Sequence, residues 1–162
     1  MTQRMRELRV RNMRSRILSE LQQIGLRVQE ECILALSLSF DPAEIVTHSD
    51  IRISFQADGM RVSNVDVVVH KFIETLYTYI INKKDHKAFW LSLPMESFWF
   101  TVELSSRQLL DNAHDIINKF HKVSESYSKE IMVCDDTCAS SGVGLFVEEH
   151  RYYIASWLKA PK

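Results

Sequence analysis

From Val10 onward the apolar residues Val10, Met13, Ile17, Leu21 and Ile24 recur at intervals of three and four, the spacing of one face of an α-helix. Gly25 predicts its stop. Residues 26–40 read two ways. Leu36, Leu38 and Phe40 alternate with Ser37 and Ser39 as in a strand, whereas residues 29–35 also suit a helical extension. The preferred reading is a helix to Gly25 and a strand ending at Phe40. Asp41, Pro42 and Glu44 have the pattern of a capped helical turn. Ile51, Ile53 and Phe55 alternate with Arg52, Ser54 and Gln56, and Asp58-Gly59 then predicts a tight hairpin turn before Met60 and Val62.

Ser63 or Asn64 is the expected cap of a second helix, with Asp66 in its first turn and Val65, Val68, Val69, Phe72, Ile73, Leu76 and Ile80 as a wide apolar stripe. Phe89, Leu91 and Leu93, then Phe98, Phe100, Val102 and Leu104, share a period of two and predict a second hairpin with all seven on one buried face. A third helix is expected from Ser105 or Ser106 with Leu109, Leu110, Ala113, Ile116, Ile117 and Phe120 inward, ended by the polar run 124–129. A strand at 131–134, a loop at 135–141 and a hairpin of 143–147 against 152–157 complete the chain.

These elements predict a single α+β domain over 1–162, divided into a basic amphipathic helix (1–25), a core (26–130) and a C-terminal strand and hairpin (131–162). The expected architecture is a mainly antiparallel sheet of six to seven strands packed by two core helices. A length of 162 residues, 46% hydrophobic and 25% charged, supports one sizeable core. No run approaches the roughly 20 apolar residues of a membrane span.

The net charge of −1 conceals an asymmetry. Residues 1–27 hold seven Arg against Glu7 and Glu20, which is +5, and residues 28–162 hold 13 basic and 19 acidic residues, which is −6. The first helix lacks the apolar block of a secretion signal, although its acid-poor, arginine-rich character also resembles an organellar transit helix. Cys32, Cys134 and Cys138 cannot all pair within the chain, and a reducing, cytoplasmic setting is the simplest expectation.

Arg4, Arg6, Arg9, Arg11, Arg14 and Arg16, with no lysine among them, suit bidentate contacts to carboxylates or phosphates. Phosphate binding would normally recruit further basic surface, and Lys83, Lys84 and Lys87 are the other cluster. Trp90 and Trp99 fall on the middle hairpin's second face with Ser92, Thr101 and Glu103. There they form either an aromatic platform for a partner or a covered packing surface. Cys134 and Cys138 with His114 and His121 have the residue types of a zinc site, but Cys-x3-Cys is an unusual spacing and the histidines stand two helical turns apart. The same thiols beside Asp135, Asp136 and His150 offer a nucleophile and a base without a recognised signature. Ser140-Ser141-Gly142-Val143-Gly144 reads as a turn, since a strand and not a helix follows.

The order helix, three strands, helix, two strands, helix over 4–123 resembles that of the small dimeric chaperones of type III secretion effectors. The helix closing at Ile24-Gly25-Leu26, the strand ending Leu38-Ser39-Phe40-Asp41 and the Asp58-Gly59 turn are also similar. The resemblance implies a homodimer that holds an extended partner segment along its sheet and apolar grooves, and it supplies no catalytic residue. An arginine-rich first helix and residues 131–162 have no counterpart there.

The expected function is therefore that of a non-enzymatic, chaperone-like binding or adaptor protein, self-associating and without a cofactor. It would engage a protein partner through the six arginines and the face of Trp90 and Trp99. The alternatives are a nucleic-acid-associated protein using the same arginines on phosphates, and an enzyme with its site near Cys134 and His150.

Overall fold

Seven strands form one antiparallel sheet in the order β1-β4-β3-β5-β6-β7-β2. The computed structural model describes residues 1–36, 49, 51–56, 62–83, 88–95, 98–121, 130–136, 140–148 and 151–157. In chain order these form α1 (Gln3–Gln23), a 3-10 turn (Glu30–Cys32), β1 (Ile33–Leu36), β2 (Ile51–Gln56), α2 (Val62–Asn82), β3 (Ala88–Met95) and β4 (Phe98–Ser105). They continue with α3 (Ser106–His121), β5 (Ile131–Cys134), β6 (Gly142–Glu148) and β7 (Arg151–Trp157). The α+β class, the antiparallel sheet and the N-terminal helix are as the sequence predicts.

Local chemistry sets the helix ends. Thr2 caps α1, its hydroxyl oxygen accepting from the Met5 N–H at 3.3 Å. At the other end Gly25 has φ of 84°, and the N–H groups of Gly25 and Leu26 reach back to the carbonyls of Gln22 and Leu21 at 3.0 and 2.9 Å. That is the Schellman closure, which needs the left-handed backbone glycine adopts without strain. The buried Leu26 side chain sits just beyond it. α3 opens on a capping box: Gln108 N–H donates to Ser105 Oγ at 3.1 Å, and Ser105 N–H donates to Gln108 Oε1 at 2.9 Å.

The three described helices lie on one face of the sheet. α1 packs at β1, α3 across β3, β4 and β5, and α2 across β6 and β7. Met13, Ile17 and Leu21 of α1 join Phe72, Leu76 and Ile80 of α2, and Leu109, Ile116 and Phe120 of α3. Opposite them stand Phe89, Leu91, Leu93, Phe100, Val102, Leu104, Val143, Leu145 and Ile154, every one buried. Register explains the alignment, since Phe89 faces Leu104, Leu91 faces Val102 and Leu93 faces Phe100 in the β3–β4 ladder.

The second face carries its own apolar cluster of Met132, Cys134, Phe146, Ala155 and Trp157. Gly142 and Gly144 lie here in β6 and not in a turn as the sequence suggested. A Cβ on Gly142 would stand 2.8 Å from the Trp157 ring, and one on Gly144 would meet the Phe146 ring. The two glycines are thus floors for aromatic side chains laid along the sheet.

Among the described residues the expected hairpin of Ile51 to Val62 has no second arm, since residues 57–61 lie outside them and Val62 is helical. β2 pairs instead with β7, from Ile51 opposite Ser156 to Gln56 opposite Arg151, and Val62 is the first residue of α2. The alternating pattern marks a strand without naming its partner, and the nonlocal edge supplied six register pairs. Residues 58–60 lie outside the described residues, as do the capped turn at 41–44, the strand end at 37–40 and the polar run at 124–129. Residues 29–35 form a 3-10 turn and a strand rather than a helical extension. The chaperone-like order is altered accordingly: between α1 and α2 two strands are described, and they occupy opposite edges of the sheet.

Candidate binding surface on the first helix

α1 changes character along its length. Met13, Ile17 and Leu21 anchor its second half in the core, whereas Met5 and Leu8 are 56% and 49% exposed. Leu8 precedes Ile17 by nine residues, two and a half turns, so the two point to opposite sides of the helix. The first half of α1 therefore carries an outward apolar stripe of Met5 and Leu8 that the core does not use.

The six arginines sort around that stripe. Arg9 and Arg16, seven residues apart, flank it on one side, and Arg4 and Arg11, also seven apart, flank it on the other; all four are exposed. Arg16 also sits 3.6 Å from the half-buried Glu20 one turn on. Arg6 and Arg14 turn toward the inner side. There they border a cleft of about 1020 Å³ whose described lining also includes Met1, Thr2, Gln3, Glu7, Val10 and Arg11, so Arg11 lies at the margin of both faces. The helix's outer and inner faces thus offer different chemistry, the first apolar and basic, the second polar and basic.

The periodicity from Val10 pointed to the docked face alone. Met5 and Leu8 fall outside it, and their spacing of three on the opposite side was the available signal for an exposed stripe. A second exposed set lies on α2, where Val67 and Ile81 are each 58% exposed and Tyr77 donates to the Leu110 carbonyl at 2.9 Å.

Trp90 and Trp99 share the face opposite the helices but stand apart. Trp90 pairs in register with Glu103 and Cys134, and Trp99 with Pro94 and Leu36. Four residues separate Pro94 from Trp90 along β3, about 13 Å at the rise of a strand. Both indoles are half-buried, and Trp99 packs against the Met132–Phe146–Trp157 cluster. They are two separate positions and not one platform.

The cysteine and histidine candidates do not converge. Cys134 is buried on the sheet's far face, while His114 is exposed on α3, across the sheet. Burial, and then the neighbouring carboxylates of Asp135 and Asp136, push the Cys134 thiol far above its ordinary pKa. A thiol held protonated and away from solvent is a packing group and a poor nucleophile. Among the described residues no three His, Cys, Asp or Glu side chains gather as metal ligands. Cys138 and His150 lie outside the described residues, as does the His121 side chain.

The polar groups beside Cys134 are spent on structure. Asp135 Oδ1 accepts from the Ser141 N–H at 3.0 Å, and Asp136 accepts from both the N–H and the hydroxyl of Ser140 at 3.0 and 2.6 Å. Lys83 Nζ lies 3.5 Å from Asp135 Oδ2 and 5.9 Å from the Tyr79 ring centroid. The buried Tyr79 and Ser141 hydroxyls lie 3.0 Å apart, and burial raises the Tyr79 pKa. This network ties α2 to the β5–β6 connection. Lys83 belongs to it, and Lys84 and Lys87 lie outside the described residues. No described helix is long and apolar enough to cross a membrane.

Compared with known proteins, the chain matches no family model, no curated protein and no solved structure.

Proposed function

We infer that this chain is a binding protein that engages an acidic protein partner through the outer face of the first half of α1. The supporting observation is the exposed stripe of Met5 and Leu8 between the flanking pairs Arg4–Arg11 and Arg9–Arg16. An apolar stripe edged by guanidinium groups is complementary to an apolar groove rimmed by carboxylates, where the stripe supplies buried area and the arginines fix register. A nucleic-acid backbone would use the arginines and leave the stripe in water, which favours the protein reading. The anchored second half of α1 holds these side chains at fixed spacing, so little order has to be created on binding.

The test is affinity capture from the cells that make the protein, after nuclease treatment, with wild type, Met5→Glu/Leu8→Glu and Arg4→Gln/Arg9→Gln baits. The expected result is a protein retained by wild type and lost with both variants. Retention that vanishes on nuclease treatment, or that survives in both variants, contradicts the reading.

A further inference from the structure

Exposure along the whole of α1 follows a finer frame than the stripe of its first half. Met5, Leu8, Asn12, Ser15, Ser19 and Gln22 are all exposed and follow one another at intervals of three, four, three, four and three residues. That is the alternation of the a and d positions of a heptad, with Met5, Asn12 and Ser19 at a and Leu8, Ser15 and Gln22 at d. The row lies opposite the docked side of the helix, where Met13, Ile17 and Leu21 are buried. In the same frame Arg4 and Arg11 are the g positions and Arg9 and Arg16 the e positions, so all four flanking arginines fall on the two rows that border a helix–helix seam. Arg9 and Arg16 already interact within the chain, Arg16 with Glu20 at 3.6 Å. The edge that selects a partner by charge is then chiefly the g row, Arg4 and Arg11.

We propose, resting on the outer-face reading above, that the partner meets α1 with an acidic amphipathic α-helix laid along the seam from Met5 to Gln22. Apolar residues at the a and d positions of that helix form the trough, and carboxylates at its e and g positions form the rim. Charge complementarity selects this occupant over a second copy of the chain. In a parallel pair of copies Arg4 would face Arg9 and Arg11 would face Arg16, and in an antiparallel pair the g row would face the g row, so like charges oppose in both orientations. Asn12 is a second discriminator. A single Asn at an a position lowers the affinity of a helix pair and fixes its register. Ser15 and Ser19 add little apolar area, which concentrates burial at Met5 and Leu8 and leaves more of the selectivity to the arginines. At the rise of an α-helix the seam is about 26 Å long, enough for a partner helix of roughly two to three heptads.

Fluorescence polarisation of the full chain with a fluorescein-labelled three-heptad peptide, stapled into a helix and carrying Leu at a and d and Glu at e and g, tests this. The comparison probes are the same residues permuted out of the heptad, and the heptad with Lys in place of Glu. Wild type should bind the Glu helix about tenfold or more tighter than either comparison, and less tightly at high salt. Arg4→Gln/Arg11→Gln should weaken the Glu helix by about threefold to tenfold, the loss of two exposed ion pairs. Asn12→Leu should tighten the Glu helix by about fivefold or more and leave the permuted probe unchanged, a response that loose charge attraction would not give. Circular dichroism should show both variants folded as wild type. Equal binding of the permuted peptide, preference for the Lys helix, or no response to Asn12→Leu would overturn the helical partner. Failure of the Glu helix to bind, beside a protein captured from cells and lost with Met5→Glu/Leu8→Glu, would overturn it while leaving the outer-face reading in place; failure of both would remove the two together.

Discussion

Two glycines show how a single atom decides packing on the far face of the sheet. A Cβ at Gly142 would stand 2.7 Å from the Val133 carbonyl oxygen, which is backbone and cannot swing aside, whereas at Gly144 the obstacle is the Phe146 ring. Gly142→Ala should therefore cost the more of the two, about 1–3 kcal/mol, measured by urea unfolding. Cys134 makes a prediction with a definite sign. In the unfolded chain its thiol ionises from about pH 8.5, but the folded protein keeps it protonated to much higher pH. The native state then binds more protons than the unfolded state, so this stabilising contribution is complete below about pH 8.5 and is lost as pH rises beyond it. Stability measured from pH 7 to 10 should fall more steeply for wild type than for Cys134→Ala; parallel curves would refute the buried-thiol account.

Among elements, α1 is the clearest case of one segment with two roles. Ile17→Ala should destabilise the fold by about 2–5 kcal/mol, as a fully buried large-to-small change, while Leu8→Ala should lie within about 0.5 kcal/mol of wild type in thermal or urea unfolding. Ser105→Ala should remove the capping box of α3 at a cost of about 1 kcal/mol. The same elements mark what a sequence discloses. The Val10–Ile24 period, Gly25 and the Phe89–Leu104 alternation were legible because each is a local rule acting on consecutive residues. The partner of β2 was not, because alternation specifies a strand's two faces and says nothing of which edge it joins; Asp58-Gly59 suggested a local hairpin, whereas the described partner is β7. Met5 and Leu8 were missed for a related reason: a helix that leaves its core partway along switches faces, and a single periodic frame follows only one of them.

For the whole molecule, the basic first helix and the acidic remainder are placed so that α1 is rooted in the core yet exposes five of its six arginines, four of them flanking an outward apolar stripe. The arginines were evident in the sequence, but their division into outer flanks and an inner cleft required knowing where α1 docks. The Trp90–Trp99 platform failed as a single site because shared facing along a hairpin does not bring residues at opposite ends together. The account rests on the outer face of α1 contacting a protein. Its most direct test is the comparison of wild type with Met5→Glu/Leu8→Glu in nuclease-treated affinity capture, with circular dichroism establishing that both are folded. A protein captured by wild type and lost from an equally folded variant is the predicted result; the same protein captured by both would contradict it.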